Sequence, residues 1–150
     1  MSESVVRDQA TRVSDAQAKL GEEVDVWVSS AGADGRGYLV PLSYYWDGRT
    51  LTLAAHPRSP TARNLQRAGW ARVALGPTRD VLIVEGPVEI FLTEGHDELA
   101  ALHAGATGFD TRAEDAVYSF IQLTPETIQA WRNAAELRGR FVMRDGAWLD

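Results

Sequence analysis

The sequence predicts a mainly β fold: six antiparallel strands closed, or nearly closed, into a barrel, with short helices at its periphery. Three observations lead there. Apolar residues alternate with period two in short stretches, as where Val24, Val26 and Val28 are interleaved with Asp25, Trp27 and Ser29. Turn signals recur at short intervals, the strongest being Asp47-Gly48, whose turn needs positive φ. The helical stretches are also too short and too few to give every strand the crossover helix that a parallel sheet requires.

Taken in order, residues 8–20 place Ala10, Val13, Ala16 and Leu20 at helical spacing, which predicts a short opening helix. The first strand follows around Val24 to Ser29, and SAGADGRG supplies a turn. Gly32, Gly35 and Gly37 run in the order G-x-x-G-x-G between two strands, so they mark a hairpin loop and not a dinucleotide-binding turn. A second strand is expected over 37–46, and after Asp47-Gly48 the alternation Thr50-Leu51-Thr52-Leu53 predicts a third, paired antiparallel to it.

Alternation stops at Ala54-Ala55, where Ser59 and Pro60 form a helix cap and first-turn proline, predicting a helix over 60–68. Strands over 70–75 and 81–92 are joined by GPTRD, the second long enough to bend, with Gly86-Pro87 marking a bulge or edge. Thr93 is expected to cap a helix containing Leu99, Ala100, Leu102 and His103. A sixth strand is expected over 117–123, Thr124-Pro125 is expected to open a helical turn through Ile128 and Trp131, and Asp145-Gly146 predicts a final small turn.

At 150 residues, with 45% apolar and 24% charged residues and no linker or repeat, the chain is expected to form one domain. A net charge of −6 speaks against a nucleic acid partner, which needs a concentrated basic face. The absence of cysteine excludes disulfides and thiolate metal sites, and His56, His96 and His103 are scattered, so no metal is expected. No stretch has the apolar length of a leader or membrane span, and a cytoplasmic protein is expected. A G-x-S-x-G nucleophile turn is absent, and no catalytic acid, base or nucleophile stands out.

The chemistry concentrates between Ala55 and Leu65, where a strand runs through a turn into a helix start. Unpaired N–H groups and partial positive charge make such a start an anion site, although Pro60 withholds one donor. Arg58, Ser59, Thr61, Arg63 and Asn64 bring two guanidinium groups and several neutral hydrogen-bonding groups to the same turn, a mixture suited to a phosphate. The alternative has equal weight: Ser59 only as cap, Asn64 as brace, and Arg58, Arg63 and Arg67 as a solvated face. His56 adjoins the turn, either as a phosphate or substrate contact or as a plain surface residue.

The order of strand, D-G turn, strand, S-P-T-A-R-N-L helix and W-A-R-V-A-L strand resembles the split β-barrel superfamily of pyridoxamine-phosphate-oxidase-like flavin proteins and deazaflavin-dependent reductases. Further pieces of the resemblance are Val40-Pro41-Leu42, Glu85-Gly86 with Val88 and Glu89, and Thr124-Pro125 leading to Ala130-Trp131-Arg132. The resemblance implies a homodimer with FMN or a deazaflavin (coenzyme F-420) in a groove at the interface. Carried over, it puts the phosphate on Arg58, Ser59, Thr61, Arg63 and Asn64, lays Val40, Pro41 and Leu42 along the ring, and makes Trp131 a groove neighbour. Many relatives have a lysine where this chain has Thr61, which removes part of the electrostatic grip.

The function implied is hydride transfer from reduced coenzyme F-420 to a small organic acceptor. The S-P-T-A-R-N-L form and the closing A-W-R segment look more like the deazaflavin branch than the FMN one, and the Ala-, Gly- and Arg-rich composition of a GC-rich genome suits organisms that make that cofactor. An FMN-binding protein and a non-catalytic cofactor carrier or sensor are the alternatives. Because the cofactor performs the redox step, a protein of this kind needs no catalytic side chain of its own.

Overall fold

The computed structural model describes residues 5–150. Helix α1 (Gln9–Glu22) starts at Asp8, whose carboxylate accepts the Thr11 N–H. Strands β1 (Asp25–Ala31) and β2 (Gly37–Trp46) form a hairpin whose loop holds Gly35 at φ 82°. The loop to β3 (Leu51–Ala55) holds Gly48 at φ 95° and is closed by the Asp47 carboxylate, which accepts the N–H groups of Arg49 and Thr50. Helix α2 (Pro60–Ala68) follows, then β4 (Trp70–Leu75) and the long β5 (Val81–Leu92). Helix α3 (Asp97–Thr107) and a 3-10 turn (Thr111–Ala113) lead to β6 (Ser119–Leu123). The chain ends in β7 (Thr127–Trp131), a 3-10 turn (Ala134–Gly139), β8 (Phe141–Arg144) and β9 (Ala147–Trp148).

The first six strands close in the order β4-β1-β2-β3-β6-β5, with β5 returning to β4, so the six-stranded antiparallel barrel expected from the sequence is present. Three more strands, β7, β8 and β9, extend the sheet beyond β5. The split lies in β5. Its first half pairs with β7 (Val81↔Trp131 to Glu85↔Thr127) and its second with β6 (Val88↔Leu123 to Leu92↔Ser119), while its other edge holds β4. The change of partner falls at Gly86-Pro87, where a Cβ on residue 86 would run into the Thr124 carbonyl oxygen.

Two expectations are corrected. The segment after Thr124-Pro125 is a strand, not a helical turn: Ile128 and Ala130 are buried on one face while Thr127, Gln129 and Trp131 lie on the other. Five residues are too few for periodicity alone to decide, and the free edge of β5 decides for the strand. Thr93 does not cap α3, because its N–H continues the β5 ladder to the Tyr118 carbonyl (3.0 Å); His96 takes the cap position without a side-chain bond.

The core fills the barrel with Val26, Val28, Leu51, Leu53, Val73, Leu82, Val84, Ile121, Leu123 and Ile128, all buried. Helix α1 covers one end, where the Tyr44 hydroxyl donates to the Leu20 carbonyl (2.7 Å), and burial raises the Tyr44 pKa. Helix α2 covers the other end through Ala62 and Leu65. Helix α3 packs against β2, with His103 against Phe120 of β6 (centroids 5.7 Å apart) and His96, just before it, against Phe91 of β5 (4.5 Å). Among the described residues nothing covers the outer face around Trp27 (51% exposed) of β1, Leu39 (60%) of β2 and Trp70 (40%) of β4, which stand in solvent beside Pro41. No helix among the described residues is long and apolar enough to cross a membrane.

Candidate functional site

The turn from β3 into α2 is built by local chemistry. The Ser59 hydroxyl accepts the Ala62 N–H (3.2 Å), the Ser59 carbonyl accepts the Arg63 N–H (3.0 Å), and Pro60 occupies the first turn. That leaves the helix start nearly closed to an anion. Pro60 has no N–H, and those of Ala62 and Arg63 are taken, so only the N–H of Thr61 is left in the first turn. Recognition of an anion here falls to side chains.

The side chains divide. Thr61 (3% exposed) and Asn64 (8%) point into the fold, and the Asn64 amide braces it by donating to the Ser30 hydroxyl (3.1 Å) and accepting from Arg67 (2.8 Å). Arg58 and Arg63 are exposed and pair with no carboxylate among the described residues. His56 is exposed too, but its ring stacks on Tyr118 at 4.4 Å, and Tyr118 meets Phe109 edge-on at 5.3 Å. The turn therefore presents two unpaired cations beside an aromatic ledge.

The expected ring contacts lie elsewhere. Val40 and Leu42 face the barrel interior opposite Val28 and Val26, while Pro41, opposite Trp27, faces out. Pro41 and Trp27 line a hollow of about 320 Å³ with Ala74, Gly76 and Pro77 on the uncovered sheet face. Trp131 is half-buried opposite Val81, at the start of β5, whereas Arg63 lies near Leu92 at its end, roughly 35 Å along the strand. One copy of the chain does not bring Trp131 to the turn.

Tyr118 is a neighbour of the turn that sequence reasoning did not single out. Its place follows from the pairing Ala55↔Ser119, which sets His56 beside Tyr118 across strands more than sixty residues apart, and no local pattern signals it. Gln66, which sequence reasoning also did not single out, joins Arg63 and Arg67 along a groove between α2 and the end of β5.

With this geometry established, comparison with known proteins gives the following. The family model described as pyridoxamine 5'-phosphate oxidase matches residues 14–132, most of the chain. Among solved structures, a heme binding protein from Mycobacterium smegmatis aligns over 95% of this chain at 19% identity and TM-score 0.69. The chain spans only 60% of that protein's length. A putative pyridoxamine 5'-phosphate oxidase from Listeria innocua aligns over 81% of this chain and 98% of its own, at 18% identity and TM-score 0.65. An F-420 reductase aligns over 75% of this chain and 94% of its own, at 16% identity and TM-score 0.59. No curated protein matches. At these identities the structural likenesses establish the fold, and the family model establishes the kinship: the chain belongs to the pyridoxamine 5'-phosphate oxidase family of split β-barrels.

Proposed function

We propose that the protein is a homodimeric oxidoreductase that passes hydride from reduced coenzyme F-420 to a small organic acceptor. The observation that carries this reading is the pair Arg58 and Arg63: two exposed guanidinium groups without carboxylate partners among the described residues, at the turn where the family resemblance puts a cofactor phosphate. A bidentate guanidinium contact suits a phosphate diester or monoester, so the donors present fit the group. Ser59, half-buried and committed to its cap, and the buried Thr61 and Asn64 position the turn instead of touching the phosphate.

The cofactor supplies the hydride when bound, and the chain's part is to bind, orient and exclude water. Pro41 and Trp27 offer an apolar surface for a flat ring on the uncovered sheet face, and Val40 and Leu42 hold that strand against the core. A second copy packed on this face covers Trp27, Leu39 and Trp70 and supplies Trp131 from the far end of its own sheet. The preference for the deazaflavin over FMN rests on the S-P-T-A-R-N-L and A-W-R segments, and a split barrel of the same fold is an F-420 reductase.

The test is anaerobic titration of the protein with oxidised and reduced coenzyme F-420 and with FMN, followed by tryptophan fluorescence. Tight deazaflavin binding, weakened at least tenfold by Arg58→Ala and by Arg63→Ala, is expected. Binding of FMN alone makes the protein a flavin-dependent member of the family, and binding of neither refutes the oxidoreductase reading.

A further inference from the structure

The barrel is not sealed at the end that α2 covers. The last inward-facing residues of β5 and β6, Ile90, Leu92 and Ser119, stand across from Ala62, Arg63, Gln66 and Arg67 of α2, with Pro57 and Phe91 completing the walls. The space between is about 500 Å³, the size of a small-molecule pocket. Its floor continues the core, since Ile90 packs against it, while Leu92 at the mouth remains 49% exposed. An apolar side chain of that size left half in water at the rim of a cavity is a surface that a ligand can cover.

The rim is cationic in a protein of net charge −6. Arg67 is held in place rather than free: one terminal nitrogen donates to the Asn64 side-chain oxygen (2.8 Å) and to the Ala31 carbonyl (3.3 Å). Both partners are neutral, so its charge is not cancelled and its remaining N–H groups are left for a ligand. Arg63 stands one helical turn earlier on the same wall, and Gln66 between them adds an amide.

We infer that this barrel mouth is a second ligand site, which takes an amphipathic organic monoanion such as an acyl or aryl carboxylate, with its apolar end over Leu92 and Ile90 and its charge on Arg67, while Arg63 serves the neighbouring phosphate turn. Preorganisation of Arg67 by Asn64 lowers the ordering cost of binding. The site differs from the uncovered sheet face, being walled by α2 and the opposite half of β5.

The experiment is titration of the full-length protein, without flavin or deazaflavin, with the aryl sulfonate 8-anilinonaphthalene-1-sulfonate, followed by displacement with decanoate and with decanol. Because no cofactor is present, the outcome is independent of the proposed oxidoreductase function. One saturable site is expected, with decanoate displacing the probe at least tenfold more effectively than decanol. Leu92→Asp, which sets a negative charge at an exposed position of the mouth, is expected to weaken probe binding at least tenfold without changing the far-UV spectrum or the melting temperature by more than a few degrees. Equal displacement by decanol, or unaltered binding to the folded Leu92→Asp variant, overturns the inference.

Discussion

The Glu136 carboxylate, with no exposed surface, lies 2.8 Å from the Arg7 guanidinium, 129 residues away in the chain. It also accepts the backbone N–H groups of Arg7 (2.9 Å) and Arg132 (2.8 Å), and Arg12 beside it donates to the carbonyls of Arg7 and Gly139. From there ion pairs run from Arg7 to Asp15, from Asp15 to Arg132, and from Arg132 through Asp80 to Lys19. This network fastens α1 to the segment between β7 and β8 and to the loop before β5. Removing the charge of Glu136 leaves Arg7 with Asp15 as its remaining carboxylate partner, so Glu136→Gln is expected to lower unfolding free energy by roughly 1–3 kcal/mol. Urea denaturation at neutral pH checks it.

The same carboxylate predicts the acid response. Hydrogen bonds from Arg7 hold the Glu136 pKa down to about 2, from an ordinary value of 4.5, against the opposing effect of burial. A carboxyl whose pKa is lower in the folded state binds its proton first in the unfolded chain. Its stabilisation is complete above pH 4.5 and is lost as pH falls toward 2. His103 acts in the same direction, since burial lowers its pKa and acid protonates the unfolded chain first. Urea midpoints measured from pH 7 downward are expected to begin falling near pH 6 and to fall most steeply below pH 4.5, and Glu136→Gln is expected to flatten the steep part.

Gly86 sits where β5 changes partner, and the Thr124 carbonyl occupies the space of a side chain. Gly86→Ala forces β5 away from the β6–β7 connection and is expected to cost roughly 1–3 kcal/mol or more. Thermal unfolding compared with Gly37→Ala, where an added Cβ meets nothing, isolates the effect of the clash.

Restoring a lysine at position 61 is not expected to restore a phosphate grip. Thr61 is 3% exposed, so Thr61→Lys either buries an ammonium group or displaces the first turn of α2, and stability is expected to drop by several kcal/mol. Arg63→Ala, at an exposed side chain that pairs with no carboxylate among the described residues, is expected to change stability by less than about 0.5 kcal/mol while weakening cofactor binding. Melting temperatures of the two variants, read beside their cofactor titrations, test this contrast.

In the proposed dimer, Leu39 (60% exposed) on the uncovered face of β2 is buried by the second copy. Leu39→Asp is expected to give a monomer of unchanged secondary structure, because the position is outside the barrel core. Sedimentation velocity of the wild type and variant decides it, and a wild-type monomer removes the dimer from the proposal.

Local chemistry alone specified much of this protein. Ser59 and Pro60 mark the start of α2, Gly48 and Gly146 take the positive φ that their turns need, and the alternation in β1 to β3 divides inward from outward residues, because caps, turns and pleats act between residues a few positions apart. Where two periodicities fit a short segment, the tertiary structure decided. Thr127–Trp131 is a strand because β5 has an edge to fill, and Thr93 is a ladder residue because Tyr118 lies opposite. The candidate site shows the same division. Its residue types were legible around Arg58 to Asn64, but which of them face solvent was not: Thr61 and Asn64 turn inward, Tyr118 arrives from a distant strand, and Trp131 stands at the other end of the sheet. Burial and cross-strand neighbours depend on how the barrel closes, and closure joins residues whose separation along the chain no local pattern spans.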